Sequence, residues 1–91
     1  MEIHSLEVFR TVARHGSITS AARALSYTQS AVSRQIATLE AELGGRLFDR
    51  LPRGVALTEE GRCLLDHAEA VLDRLETARR ELAALRGLGA G

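Results

Sequence analysis

Between Thr28 and Thr38 stands the part of this chain best suited to read a polar surface: Gln29, Ser30, Ser33 and Arg34, in a stretch that holds no acid. A glutamine amide offers a donor and an acceptor side by side, which matches the N6 and N7 positions of adenine. The guanidinium fork of arginine matches O6 and N7 of guanine. Either pairing contributes about 1–3 kcal/mol of discrimination between bases. Serine and threonine hydroxyls donate to phosphate oxygens, and Thr28 suits the N-cap of a helix whose first backbone N–H groups face outward. Projected at about 100° per residue, Val32, Ile36, Leu39 and Leu43 form an apolar stripe. Ser30, Ser33, Arg34, Ala37, Thr38 and Ala41 then fall on the outward arc. Small side chains on that arc let a helix backbone sit deep in a groove. An isolated surface arginine is most often solvated or ion-paired, but the neighbours of Arg34 at helical spacing are Ser30, Ala31, Ala37 and Thr38, none of them acidic.

That stretch closes a longer one. From Val8 to Leu39 there is no aspartate or glutamate, although the chain carries 12 acids and 12 basic residues in 91 positions. The window holds Arg10, Arg14, His15, Arg23 and Arg34. Arg14 and Arg23 lack a carboxylate at helical spacing and are candidates for phosphate, whereas Arg10 has Glu7. The zero net charge conceals a division: residues 1–57 hold seven Arg against five acids, and residues 58–91 hold five Arg against seven. A basic head and an acidic stalk have separate jobs, anion contact in one and helix pairing in the other.

The elements that must position these residues are legible from periodicity and caps. Ile3, Leu6, Phe9, Val12 and Ala13 predict a first helix over 3–15, stopped by Gly16. Ser17 caps a second whose buried side is Ile18, Ala21, Ala22 and Leu25. Ser26 and Tyr27 form a tight connection, and the third helix, 28–43, stops at Gly44-Gly45. Two short helices joined so tightly suggest a helix-turn-helix, with the second one in the major groove. Leu47-Phe48 and Val55-Ala56-Leu57 predict a hairpin over 47–57, its type I turn built on Leu51-Pro52-Arg53-Gly54. Arg53 at the tip suits a narrow minor groove, with Arg50 beside it and Asp49 available to neutralise one of Arg46 and Arg50.

Thr58 caps a long final helix with Glu59 and Glu60 in its first turn. Leu64, Ala68, Val71, Leu75, Ala78, Leu82 and Leu85 recur along it at alternating steps of four and three, a heptad seam for pairing with a second copy. Glu76 and Arg80 stand at i,i+4 on its flank. Residues 1–57 are thus read as the DNA-binding domain, 58–86 as the linker and dimerisation helix, and 87–91 as a flexible tail or truncated hinge.

The remaining composition excludes other classes. A single Cys63, expected to pack as a small apolar side chain, and three scattered histidines offer no metal-site spacing. No cofactor is expected. No stretch approaches the roughly 20 apolar residues of a membrane span, and the start lacks the pattern of a cleaved leader, so a cytoplasmic, nucleoid-associated protein is expected. There is no nucleophile with a base, no carboxylate pair and no phosphate-binding glycine loop, so an enzyme is not expected.

Leu6-x-x-Phe9, Gly16-Ser17-Ile18-Thr19-x-Ala21-Ala22-x-x-Leu25, Gln29-Ser30-Ala31-Val32-Ser33-Arg34-Gln35-Ile36, Leu39-Glu40-x-x-Leu43-Gly44, Leu47-Phe48-x-Arg50 and Leu57-Thr58-x-x-Gly61 together resemble the N-terminal domain of LysR-type bacterial transcriptional regulators. The resemblance runs continuously over residues 1 to about 65. It implies a mainly α fold: a winged helix-turn-helix of three helices and a two-stranded wing, followed by a long linker helix through which two copies pair. It also implies contacts with a pseudo-palindromic duplex by Gln29, Ser30, Ser33 and Arg34 and by the wing at Arg53. The chain departs from the family at Ser30, where proline is common, and at Leu51-Pro52, where a polar pair is usual. Family members continue into an effector-binding domain, which is absent from these 91 residues, so an excised fragment or a naturally short form is expected. The rival reading is a winged-helix and coiled-coil module that binds proteins without DNA specificity.

Overall fold

The computed structural model describes residues 1–87. It contains α1 (Ile3–His15), α2 (Ile18–Leu25), α3 (Gln29–Leu43), β1 (Phe48–Arg50), β2 (Val55–Leu57) and α4 (Glu59–Leu85) in that order. Of the tail expected over 87–91, all but Gly87 lies outside the described residues. Among the described residues no helix is long and apolar enough to cross a membrane.

Local chemistry sets the boundaries. The Ser17 hydroxyl accepts from the Ser20 N–H at 3.1 Å, Thr28 from Ala31 at 3.0 Å and Thr58 from Gly61 at 3.0 Å. Each satisfies one of the orphan donors of a helix start. Gly16 and Gly44 end α1 and α3 in the left-handed conformation. Ser26 ends α2 the same way at φ 60°, the one non-glycine residue with positive φ among those described.

Helix α1 lies at the centre and touches α2, α3 and α4. Its buried arc is therefore wider than the stripe expected of it. Val8 is fully buried although absent from that stripe, whereas Ile3 is 40% exposed, beyond the head and beside α4. The core joins Val8, Phe9 and Val12 of α1 to Ala21 and Ala22 of α2 and to Val32, Ile36 and Leu39 of α3. The rings of Phe9 and Phe48 meet at 5.4 Å and bind the hairpin to this core. Leu43, expected in the α3 stripe, is 44% exposed, because it lines an open groove with Leu47 and with Cys63, Leu64 and His67 of α4 rather than the closed core.

The hairpin pairs Phe48 with Leu57, Asp49 with Ala56 and Arg50 with Val55. Its turn differs from the expected type I bond: Leu51 N–H donates to the Gly54 carbonyl at 3.0 Å, the opposite sense. Val55 N–H donates to the Gly16 carbonyl at 3.0 Å, and the Glu40 carboxylate accepts from Leu47 N–H at 2.8 Å. These bonds fix the wing to the α1–α2 turn and to α3. Thr58 completes the base by donating its hydroxyl to the Arg46 carbonyl at 2.6 Å.

Helix α4 uses two adjacent faces. Gly61, Leu65, Ala68 and Leu72 face the head, and Ala68 and Leu72 are buried there. A Cβ at Gly61 would collide with the Leu47 carbonyl oxygen, so the helix starts in backbone contact with the residue that precedes β1. Ala68 lies in the pairing seam read from the sequence, in its first part from Leu64 to Ala68, which was expected to pack near the head; Ala68 is covered by the head and Leu64 packs against it, whereas Leu72 was absent from that reading. Cys63 is exposed rather than packed. The ion pair recorded on the flank joins Glu76 to Arg79 at 3.8 Å, while Arg80, expected to meet Glu76, donates to the Thr77 hydroxyl at 3.4 Å.

Candidate nucleic-acid interface

Helix α3 stands as a ridge between two grooves. On one flank Gln29 and Ser33 share a groove of about 230 Å³ with Thr19 of α2 and Arg50 of the wing. On the other, Ala31, Arg34 and Thr38 share one of about 440 Å³ with the start of α1 at Met1, Glu2 and Ser5. Ser30, Ala37 and Ala41 are exposed between them. The residues expected to read bases are therefore brought together on one helix but divided by its crest. Gln29 and Ser33 lie toward the wing, and Arg34 and Thr38 lie toward α1. The exposed face carries no acid from Gln29 to Leu39 and consists of small or polar side chains with one guanidinium.

The arginines separate by partner. Arg23, Arg34, Arg50 and Arg53 are exposed and form no ion pair among the described residues. Arg50 lines the wing groove, Arg53 stands apart at the hairpin tip, and Arg23 lies on the outer face of α2. Arg46 is neutralised by Asp49 at 3.2 Å. Arg14, a phosphate candidate because no acid stood at helical spacing, instead meets Glu69 of α4 at 3.1 Å. That carboxylate is 55 residues away in sequence, and only the docking of α4 on α1 brings it there.

Several positioning residues left little trace in the sequence. Ser5, buried on α1, donates to the Gln35 amide oxygen at 3.2 Å and fixes α3 against α1. Glu40 reads as a solvated acid until the reversal at Gly44-Gly45 brings the Leu47 N–H to it. Thr28 spends its hydroxyl on the cap, which leaves its backbone at the exposed start of the ridge.

Residues 3–62 match the model of the bacterial regulatory helix-turn-helix proteins of the lysR family. The chain belongs to the lysR family. Within that family it is 51% identical over 87 residues to an uncharacterised HTH-type transcriptional regulator of Azotobacter vinelandii, a match covering 96% of this chain and 60% of that protein. It is 42% identical over 90 residues to the SDS degradation transcriptional activation protein of a Pseudomonas species, covering 99% of this chain and 29% of that one. The lysR-family chain thus spans only part of the length of these curated relatives. Among solved structures, the BenM DNA-binding domain in complex with benA site 1 DNA superposes with a TM-score of 0.89 at 34% identity, covering 93% of this chain and 99% of that one. The LysR-family regulator CbnR superposes with a TM-score of 0.86 at 38% identity, covering 96% of this chain and 30% of that one.

Proposed function

We propose that this chain binds double-stranded DNA sequence-specifically as the reading head of a dimeric transcriptional regulator, without a catalytic role, in the cytoplasm. In this reading α3 enters the major groove. Gln29, Ser30, Ser33 and Arg34 face base edges, Thr38 and the backbone at Thr28 face phosphate, and Arg50 and Arg53 follow the wing to the adjacent minor groove. Arg23 adds an exposed cation on α2. The observation that carries the reading is the exposed ridge of α3, free of acids from Gln29 to Leu39, with an Arg34 on it that forms no ion pair among the described residues. Solved relatives whose DNA-binding domains sit on duplex DNA support it.

Pairing follows from the second face of α4. Leu64 is half-buried against the head core, Leu75 is half-buried, Ala78 is exposed, and Val71, Leu82 and Leu85 are 43%, 47% and 84% exposed. Ile3 continues this apolar surface from α1. A second copy would cover it and set two α3 ridges at a fixed separation, matching half-sites about 34 Å apart or a multiple of that. Any effector would act through sequence outside residues 1–91.

The test is selection of bound sequences from a random duplex pool, followed by footprinting. Enrichment of paired half-sites with protection over both is expected. A pool that emerges unenriched, while the protein still binds another protein through its head, would move the reading to a protein-interaction module.

A further inference from the structure

On the flank of α3 away from the wing, the turn that starts the ridge is tied to α1 by one side-chain pair. The Tyr27 hydroxyl lies 2.9 Å from Nε2 of His4, and the two rings meet edge to face at 5.7 Å. Tyr27 is 41% exposed and directly precedes the Thr28 cap. A helix lying in a major groove has a phosphate backbone on each side. On the wing side this chain offers Arg50, whereas the α1 side carries the acids Glu2 and Glu42 near Arg34. That side also holds Arg34, Thr38 and the Met1 ammonium, which pairs with Glu42 at 3.0 Å, while His4 and Tyr27 stand at the turn that starts α3 and can donate to a phosphate there.

We propose that Tyr27 is a phosphate-contacting residue on this flank and that the protonation state of His4 sets the direction of its hydroxyl. The Glu7 carboxylate lies 4.0 Å from Nδ1 of His4 and favours a proton there. In the neutral ring Nε2 is then an acceptor, and Tyr27 points its O–H inward to it. In the imidazolium both nitrogens donate. Nε2–H then donates to the Tyr27 oxygen, and the tyrosine O–H turns outward, where it can donate to a phosphate oxygen beside the new positive charge. The charged groups on the surrounding elements are Glu7 on α1 itself, Arg23 in the last turn of α2, Arg34 on α3 and Arg74 on α4 beside Ile3. Of these, only Glu7 is recorded in an ion pair with His4. The contact therefore strengthens when His4 gains a proton, which a comparison between two pH values reads.

This inference rests on the DNA-binding reading, and its test separates the two. Binding of the full chain to a random-sequence 30-base-pair duplex is measured at several salt concentrations at pH 6 and pH 8, for the wild type, Tyr27→Phe, His4→Gln and the double variant. The wild type should bind about three- to tenfold tighter at pH 6 than at pH 8, by an increment that both single variants lose and the double variant loses no further. The salt slope of the wild type should steepen by about one at pH 6. His15→Gln and His67→Gln should keep the increment. Variants that retain the wild-type increment, or that lose affinity equally at both pH values, would overturn the assignment, the second outcome marking a merely structural tie. Absence of wild-type binding at either pH would overturn the DNA-binding reading itself.

Discussion

Arg34 gains its significance from what surrounds it. Its guanidinium is exposed on a helix whose neighbouring positions are serine, alanine and threonine, and it pairs with no carboxylate among the described residues. Loss of a base-edge contact differs from loss of a phosphate contact: the first relaxes preference at one position, and the second weakens all sequences alike. Arg34→Ala should therefore reduce discrimination at one base pair by about 1–3 kcal/mol, read as competition between the selected site and single-base variants. Unchanged affinity and unchanged discrimination would remove Arg34 from the reading surface. Residues of this kind were legible in the sequence because local spacing determines their surroundings, and the caps Ser17, Thr28 and Thr58 were legible for the same reason. Arg14 and Glu40 were not, because their partners Glu69 and Leu47 reach them only through the packing of α4 and the reversal after α3.

At the level of elements, the wing and α4 depend on close backbone approach. A methyl group at Gly61 meets the main-chain carbonyl of Leu47, just before β1, which cannot rotate aside as a side chain would. Gly61→Ala should shift the start of α4 and destabilise the chain by about 1–3 kcal/mol, seen as a lower midpoint in urea denaturation. An unchanged midpoint would mean that the contact between Gly61 and Leu47 is looser than described. The heptad pattern of α4 was legible, as was the packing of its first part, Leu64 to Ala68, near the head, but the rest of the stripe that packs there was not, because Leu65 and Leu72 lie beside the seam on the same helix. Periodicity alone cannot say which of two adjacent apolar faces a neighbour will cover. Leu82, 47% exposed, lies in the seam and outside the head. Leu82→Glu should leave the head folded while halving the mass measured by sedimentation at micromolar concentration. A dimer that persists unchanged would show that pairing uses another face.

At the scale of the whole molecule, the neutral total divides into a basic head and an acidic helix, and the described residues extend 51 × 25 × 18 Å. The long dimension comes from α4, about 40 Å of helix, too long for so small a head to cover. In the proposed reading the head binds an anion, and the helix holds a second head at a set distance. Whether that anion is duplex DNA read through its bases is decided most directly by titrating affinity against salt for the selected site and for a scrambled duplex of equal length. The logarithm of affinity should fall linearly with the logarithm of salt on both duplexes, with a slope of several units, while the selected site keeps its advantage at physiological salt. Equal affinity for the two duplexes at every salt concentration, or no binding even at low salt, would contradict sequence reading by α3.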